Sequence, residues 1–140
     1  METLHRAGVP VGVLFAPLIP ALNDHELERV LSAAREAGAD TAGFVLLRLP
    51  HELKALFEDW LHSHFPDRAN HVLSLLRQLR GGRLNDSRFG HRMRGQGVYA
   101  ELYRQRMQKI CRRLQLNSNR RPLNTEAFRP PARGPQLNLF

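Results

Sequence analysis

Cysteine is almost absent from this chain: Cys111 is the only one. One thiol excludes an internal disulfide framework. It also excludes a multi-thiolate metal site built by this chain alone. A reducing, cytoplasmic setting fits such usage. Long apolar runs are missing too, and none reaches the length of a bilayer span. Residues 1–6 are read as leading directly into a strand-like run, without the features of a secretory signal. Negative charge is scarce after residue 76. Residues 77–140 hold 15 Lys and Arg against 3 Asp and Glu, a net of +12, whereas residues 1–76 hold 6 against 10, a net of −4. Lysine is scarce there as well, with Lys109 the only one, so the excess is arginine. Arginine suits bidentate phosphate contact better than lysine does. A one-sided arginine-rich segment is the electrostatic footprint of a nucleic-acid binder. The competing reading is a solubilising face. Phe89, Tyr99, Tyr103 and Phe128 interleave with the basic residues and supply candidate stacking groups.

What is present reads as one domain's worth of α/β chain, 140 residues long. Residues 9–16 are nearly continuously apolar, as in a strand buried on both faces of a parallel sheet. Pro17, Pro20, Asn23 and Asp24 end the run. Asn23 or Asp24 then caps a helix in which Leu27, Val30, Leu31, Ala34 and Ala37 recur at helical spacing up to Gly38. Residues 42–49 form a second strand of the same type, closed by Pro50, so the unit is strand–helix–strand with a right-handed crossover. Leu53, Leu56, Phe57, Trp60 and Leu61 mark a further helical stripe. Pro66 opens the next helix, whose stripe is Ala69, Val72, Leu73, Leu76 and Leu79, and Gly81-Gly82 stops it. Residues 83–97 are rich in Gly and Arg, show no period and read as a loop. Tyr99, Tyr103, Met107, Ile110 and Leu114 outline a last helix with a basic outer face. From Asn117 onward the chain is polar and proline-rich, and disorder is expected.

Two parallel strands make a poor sheet, with open edges and an uncovered face. The simplest explanation is the C-terminal part of a larger α/β barrel or open sheet, the chain starting abruptly at a strand. The alternative is self-association that completes the sheet. On this reading residues 1–50 are the end of a barrel, 51–116 a helical arginine-rich extension, and 117–140 a flexible tail.

The residues then carry two resemblances. The run Val11-Gly12-Val13-Leu14-Phe15-Ala16-Pro17-Leu18-Ile19-Pro20-Ala21-Leu22-Asn23-Asp24 resembles the fifth strand and exit loop of the partial (β/α) barrel of radical S-adenosylmethionine (SAM) proteins, and residues 42–50 resemble the sixth. The branch is that of spore photoproduct lyase-like proteins, often described as DNA repair photolyases. Residues 80–86, 89–95 and Tyr99 resemble that branch's C-terminal extension. The second resemblance is Gln136-Leu137-Asn138-Leu139-Phe140, which is similar to the pentapeptide by which bacterial polymerases and repair proteins dock on the replication sliding clamp. It implies that Gln136 hydrogen-bonds at the pocket rim while Leu137, Leu139 and Phe140 fill an apolar pocket. The competing reading is an apolar tail folded back onto the body.

The radical SAM resemblance implies an enzyme of DNA repair lyase type, with SAM and a [4Fe–4S] cluster as cofactors. Its fifth strand ends in a Gly-x-Ile-x-Gly-x-x-Glu pattern beside the SAM adenine. The matching positions here are Pro17, Ile19, Ala21 and Asp24, of which Ile19 is kept and Asp24 keeps the charge. Pro17, Ile19, Arg48 and Leu49 are therefore the cofactor-side candidates, with Ile19 also readable as a strand-end core residue. Arg48 interrupts an apolar run at a strand's C-terminal end, where barrel active sites lie. Its anionic partner would be a phosphate, the SAM carboxylate, Glu52 or Asp59. Arg83, Arg88, Arg92 and Arg94 are the candidates for nucleic-acid phosphates. The cluster's Cys-x-x-x-Cys-x-x-Cys motif is not in this sequence, so the chain alone cannot hold that cluster. Either it is the C-terminal portion of a longer enzyme, or a non-enzymatic arginine-rich module that binds nucleic acid and the clamp. His62, His64 and His71 lack the spacing of a zinc hydrolase, and no metal site is expected from them.

Overall fold

A computed structural model describes residues 1–118, 125, 126 and 128. Helix α1 (Glu2–Arg6) precedes strand β1 (Gly12–Leu18). After a 3₁₀ turn come helix α2 (Leu27–Glu36), strand β2 (Thr41–Leu46) and helices α3 (Leu53–His64), α4 (Pro66–Leu79) and α5 (Gly97–Arg113). The class is mixed α/β, as the patterning predicts. The opening residues form a short exposed helix and do not run straight into the strand.

The two strands pair in parallel, Gly12 opposite Thr41 and Phe15 opposite Phe44, with an irregularity before Leu18 meets Leu46. β1 thus continues through Pro17, which was expected to end it. Proline lacks the ladder N–H and is tolerated where pairing is already interrupted at an edge.

One sheet face is covered. Val13, Phe15, Leu18, Ala42, Phe44 and Leu46 pack against Leu27, Leu31 and Ala34 of α2 and against Tyr103, Met107 and Ile110 of α5. The period-two alternation then sends Leu14 outward, and it is 62% exposed. Burial on both faces, expected from the continuous apolar runs, is therefore corrected to burial on one face among the described residues. Their other face is apolar without a cover. The barrel itself is not formed by these two strands. A hollow of about 550 Å³ lies over the N-terminal end of this sheet, lined by residues 10–14, 40–43 and Asn117.

A second core holds the α3–α4 hairpin on the strand exits. Leu49, Leu61, Ala69, Val72, Leu73 and Leu76 form it, with Ile19, Leu22, Leu47 and Phe57 packed around them. The α4 stripe is buried as its spacing predicts. The α3 stripe is not: Leu61 alone of it is buried, while Leu53, Leu56 and Trp60 are exposed. A helix that meets one neighbour buries only a narrow stripe.

Asn117 corrects the boundary at which the tail was placed. Its backbone N–H donates to Asp40 O at 2.8 Å. Its side-chain amide accepts from Ala42 N at 3.1 Å and donates to Ala42 O at 2.9 Å. The amide pairs with β2 as a neighbouring strand would, so the folded body extends past 116. Asp24 is likewise not a helix cap. It accepts a hydrogen bond from the Tyr103 hydroxyl at 3.0 Å and ties the exit of β1 to α5. Burial, then the Asp24 carboxylate, pushes the Tyr103 pKa up.

Candidate functional site

The arginine-rich loop between α4 and α5 is fixed by a buried arginine. Arg80 ends α4 and is 2% exposed. Its Nη1 donates to His91 O at 3.1 Å and to Arg92 O at 2.8 Å. Its Nη2 donates to Leu47 O at 2.8 Å and to Leu46 O at 3.3 Å. The planar guanidinium therefore staples the loop to the C-terminal end of β2. Gly95 lets the loop come that close. It has φ +68, and a Cβ there would stand 2.7 Å from Leu46 Cδ1. Gln96 N closes the loop on Leu79 O at 3.0 Å. Burial lowers the Arg80 pKa, Asp86 opposes that shift, and the charge of Arg48 adds to it.

Arg48 lies two residues beyond β2, at the strand end where the sequence reading sought a ligand site. Neither Glu52 nor Asp59 pairs with it among the described residues. Its Nη1 reaches Met93 Sδ at 3.7 Å, and its Nε is buried without a hydrogen-bond partner. The other cofactor-side candidates are differently placed. Ile19 N donates to Asn23 Oδ1 at 2.8 Å, and Asn23 Nδ2 donates to Pro17 O at 3.0 Å. This pair of bonds shapes the β1 exit loop. Pro17 is exposed, whereas Ile19 and Leu49 both pack in the α3–α4 core, Leu49 at 3% exposure.

The four phosphate candidates all sit on the stapled loop. Arg88 is paired: its Nη2 lies 2.7 Å from Asp86 Oδ2, and its Nε and backbone N both lie 3.0 Å from Oδ1. Arg92 lies over the exposed ring of Phe89, 5.4 Å from its centroid. Arg83 and Arg94 are exposed, with no hydrogen bond or ion pair among the described residues. Arg104, Lys109, Arg112 and Arg113 extend the basic surface along the outside of α5. Gln136, Leu137, Leu139 and Phe140 lie outside the described residues.

Hydrogen bonds from Arg88 hold the Asp86 carboxyl well below the usual carboxylate range, and the same pairing raises Arg88. The pairing contributes its full stability above the ordinary Asp value of about 3.9 and loses it progressively below that pH. Acidification is therefore expected to loosen residues 83–97 before the sheet core, seen as faster amide exchange in that loop. Simultaneous loosening of α2 and α5 would contradict this.

Cys111 is buried on α5, accepts from Asn117 Nδ2 at 3.5 Å, and has its pKa raised by burial. A lone protonated core thiol does not fit a [4Fe–4S] ligand set. Among the described residues no group of three or more His, Cys, Asp and Glu is placed to hold a metal ion. No described helix is long and apolar enough to cross a membrane.

Sequence reasoning missed Arg80 as the organising residue of the site. The only local signal was its position immediately before Gly81-Gly82 at a helix end. Comparison with protein-family models, curated proteins and solved structures gave no match.

Proposed function

We propose that this chain is the nucleic-acid-facing, C-terminal part of a radical SAM enzyme of DNA repair lyase type. One observation carries the reading: Arg80 fastens an arginine-rich loop to the C-terminal end of a parallel strand, where α/β folds place their ligands. The loop holds Arg83, Arg88, Arg92 and Arg94, and a single carboxylate, Asp86, offsets them. The half-covered sheet among the described residues is accommodated by the barrel reading, in which a further segment would cover Leu14 and pair the open edges; a second copy would do the same without a barrel. Arg48, which pairs with no carboxylate among the described residues, is the residue best suited to an anionic group of SAM or of the substrate; the exposed Pro17 flanks the β1 exit. The cluster would be held by residues other than these. The C-terminal pentapeptide is assigned to the bacterial sliding clamp, and the whole to the cytoplasm.

A second reading is favoured by the single buried thiol: an arginine-rich module without chemistry that binds nucleic acid and the clamp. Both readings require polyanion binding, so that is tested first. Affinity for a single-stranded oligonucleotide, followed by fluorescence anisotropy, is expected to fall with salt by a slope of about −0.7 per phosphate contacted. Changing Arg83, Arg92 and Arg94 together to Ala is expected to make that slope shallower by about 2. Salt-independent binding, or an unchanged slope in the variant, would remove this loop from the interface.

A further inference from the structure

The α4–α5 loop encloses a hollow of about 230 Å³, lined by Arg80, Gly81, Arg83, Asp86 and Arg88. Three arginines and one carboxylate are in this lining, so it carries two unbalanced positive charges. Arg88 and Asp86 offset one another through three side-chain contacts between 2.7 and 3.3 Å. The surplus therefore sits on Arg80 and Arg83. Arg80 is almost wholly buried, and its Nε–H has no partner among the described residues. Its other nitrogens meet only neutral carbonyl oxygens. Arg83 stands exposed with no ion pair among the described residues. Asp86 favours the charge on Arg80, while Arg48, which pairs with no carboxylate among the described residues, disfavours it. Burying a cation is costly, and Asp86, which favours the Arg80 charge, is already engaged by Arg88.

The charge that would balance this surplus can be specified. A phosphodiester carries one negative charge, half the surplus. A phosphate monoester carries about −1.5 to −2 at neutral pH and offers three acceptor oxygens. Its tetrahedral oxygens match the forked donors of the exposed Arg83, to which Arg80 adds charge. The hollow is smaller than the roughly 300–1,000 Å³ of drug-sized pockets, which suits a phosphate group better than a whole nucleotide. We propose that this hollow binds a phosphate monoester, namely the terminal phosphate of a nucleic-acid strand. The assignment rests on the nucleic-acid reading above and narrows it to strand ends.

The test compares one oligonucleotide sequence with a phosphate or a hydroxyl at its end, using the full chain. The phosphorylated form is expected to bind at least about tenfold more tightly, the difference that one charge-assisted hydrogen bond supplies. Arg83→Ala is expected to abolish the preference while keeping the unfolding midpoint, since Arg83 has no hydrogen bond or ion pair among the described residues. Arg80→Lys is expected to weaken it as well, with unfolding measured alongside. Equal affinity for both ends in the wild-type chain overturns this proposal and leaves nucleic-acid binding intact. Full preference in Arg83→Ala overturns the placement. Displacement of the phosphorylated strand by an equal concentration of inorganic phosphate overturns the strand-end assignment. Absence of binding to either oligonucleotide overturns both the proposal and the reading beneath it.

Discussion

Replacing Arg80 with Met is expected to destabilise the protein by about 3 kcal/mol. Met keeps much of the side-chain volume and the apolar stem, so cavity formation is a small part of the effect. What is lost is a set of four hydrogen bonds to Leu46, Leu47, His91 and Arg92. Bonds from a charged donor contribute about 1.5–3 kcal/mol each, but four on one guanidinium are far from additive. Removing a buried cation also relieves its desolvation, which offsets part of the loss. Urea unfolding at unchanged slope would read the difference as a shift of the midpoint. Limited proteolysis should at the same time cut within residues 83–97. A change below about 0.5 kcal/mol, the ordinary size of a surface substitution effect, would mean that the loop is held by other contacts. Lys is not expected to rescue, because a single ammonium cannot present two parallel pairs of donors.

The second large effect concerns the tail. Changing Leu139 and Phe140 together to Ala is expected to weaken binding to a bacterial sliding clamp at least about 100-fold, since buried apolar anchors dominate such short docking peptides. The prediction rests on the motif alone, because these residues lie outside those described. Surface plasmon resonance with immobilised clamp would measure it, with oligonucleotide binding as the control for folding. Unchanged clamp binding in the variant would remove the docking role.

Much of the fold was legible because its signals are local. Ala69, Val72, Leu73, Leu76 and Leu79 recur at helical spacing, and all five are buried on α4. The two apolar runs identify both strands, although the runs give no sign of which face lacks a cover. Pairing between distant residues is what the sequence conceals. Arg80 reads as a solvated residue at a helix end, and its burial depends on a strand 34 residues earlier and a loop 11 residues later. Asn117 reads as the start of a polar tail, yet its amide meets Ala42 across 75 residues. Leu53, Leu56 and Trp60 err the other way: their spacing promises a buried stripe, but no second neighbour covers it among the described residues. Of the candidate site, the arginines were legible from charge asymmetry. Their common attachment to the end of β2 was not, since it is made through backbone carbonyls, which no side-chain pattern encodes.

Amide chemical-shift mapping of the full chain with a short single-stranded oligonucleotide tests the central claim most directly. The account predicts the largest shifts in residues 83–97 and along the outer face of α5, with weaker ones at Arg48 and little change in α2. Shifts confined to residues 1–46, or none at saturating oligonucleotide, would contradict it.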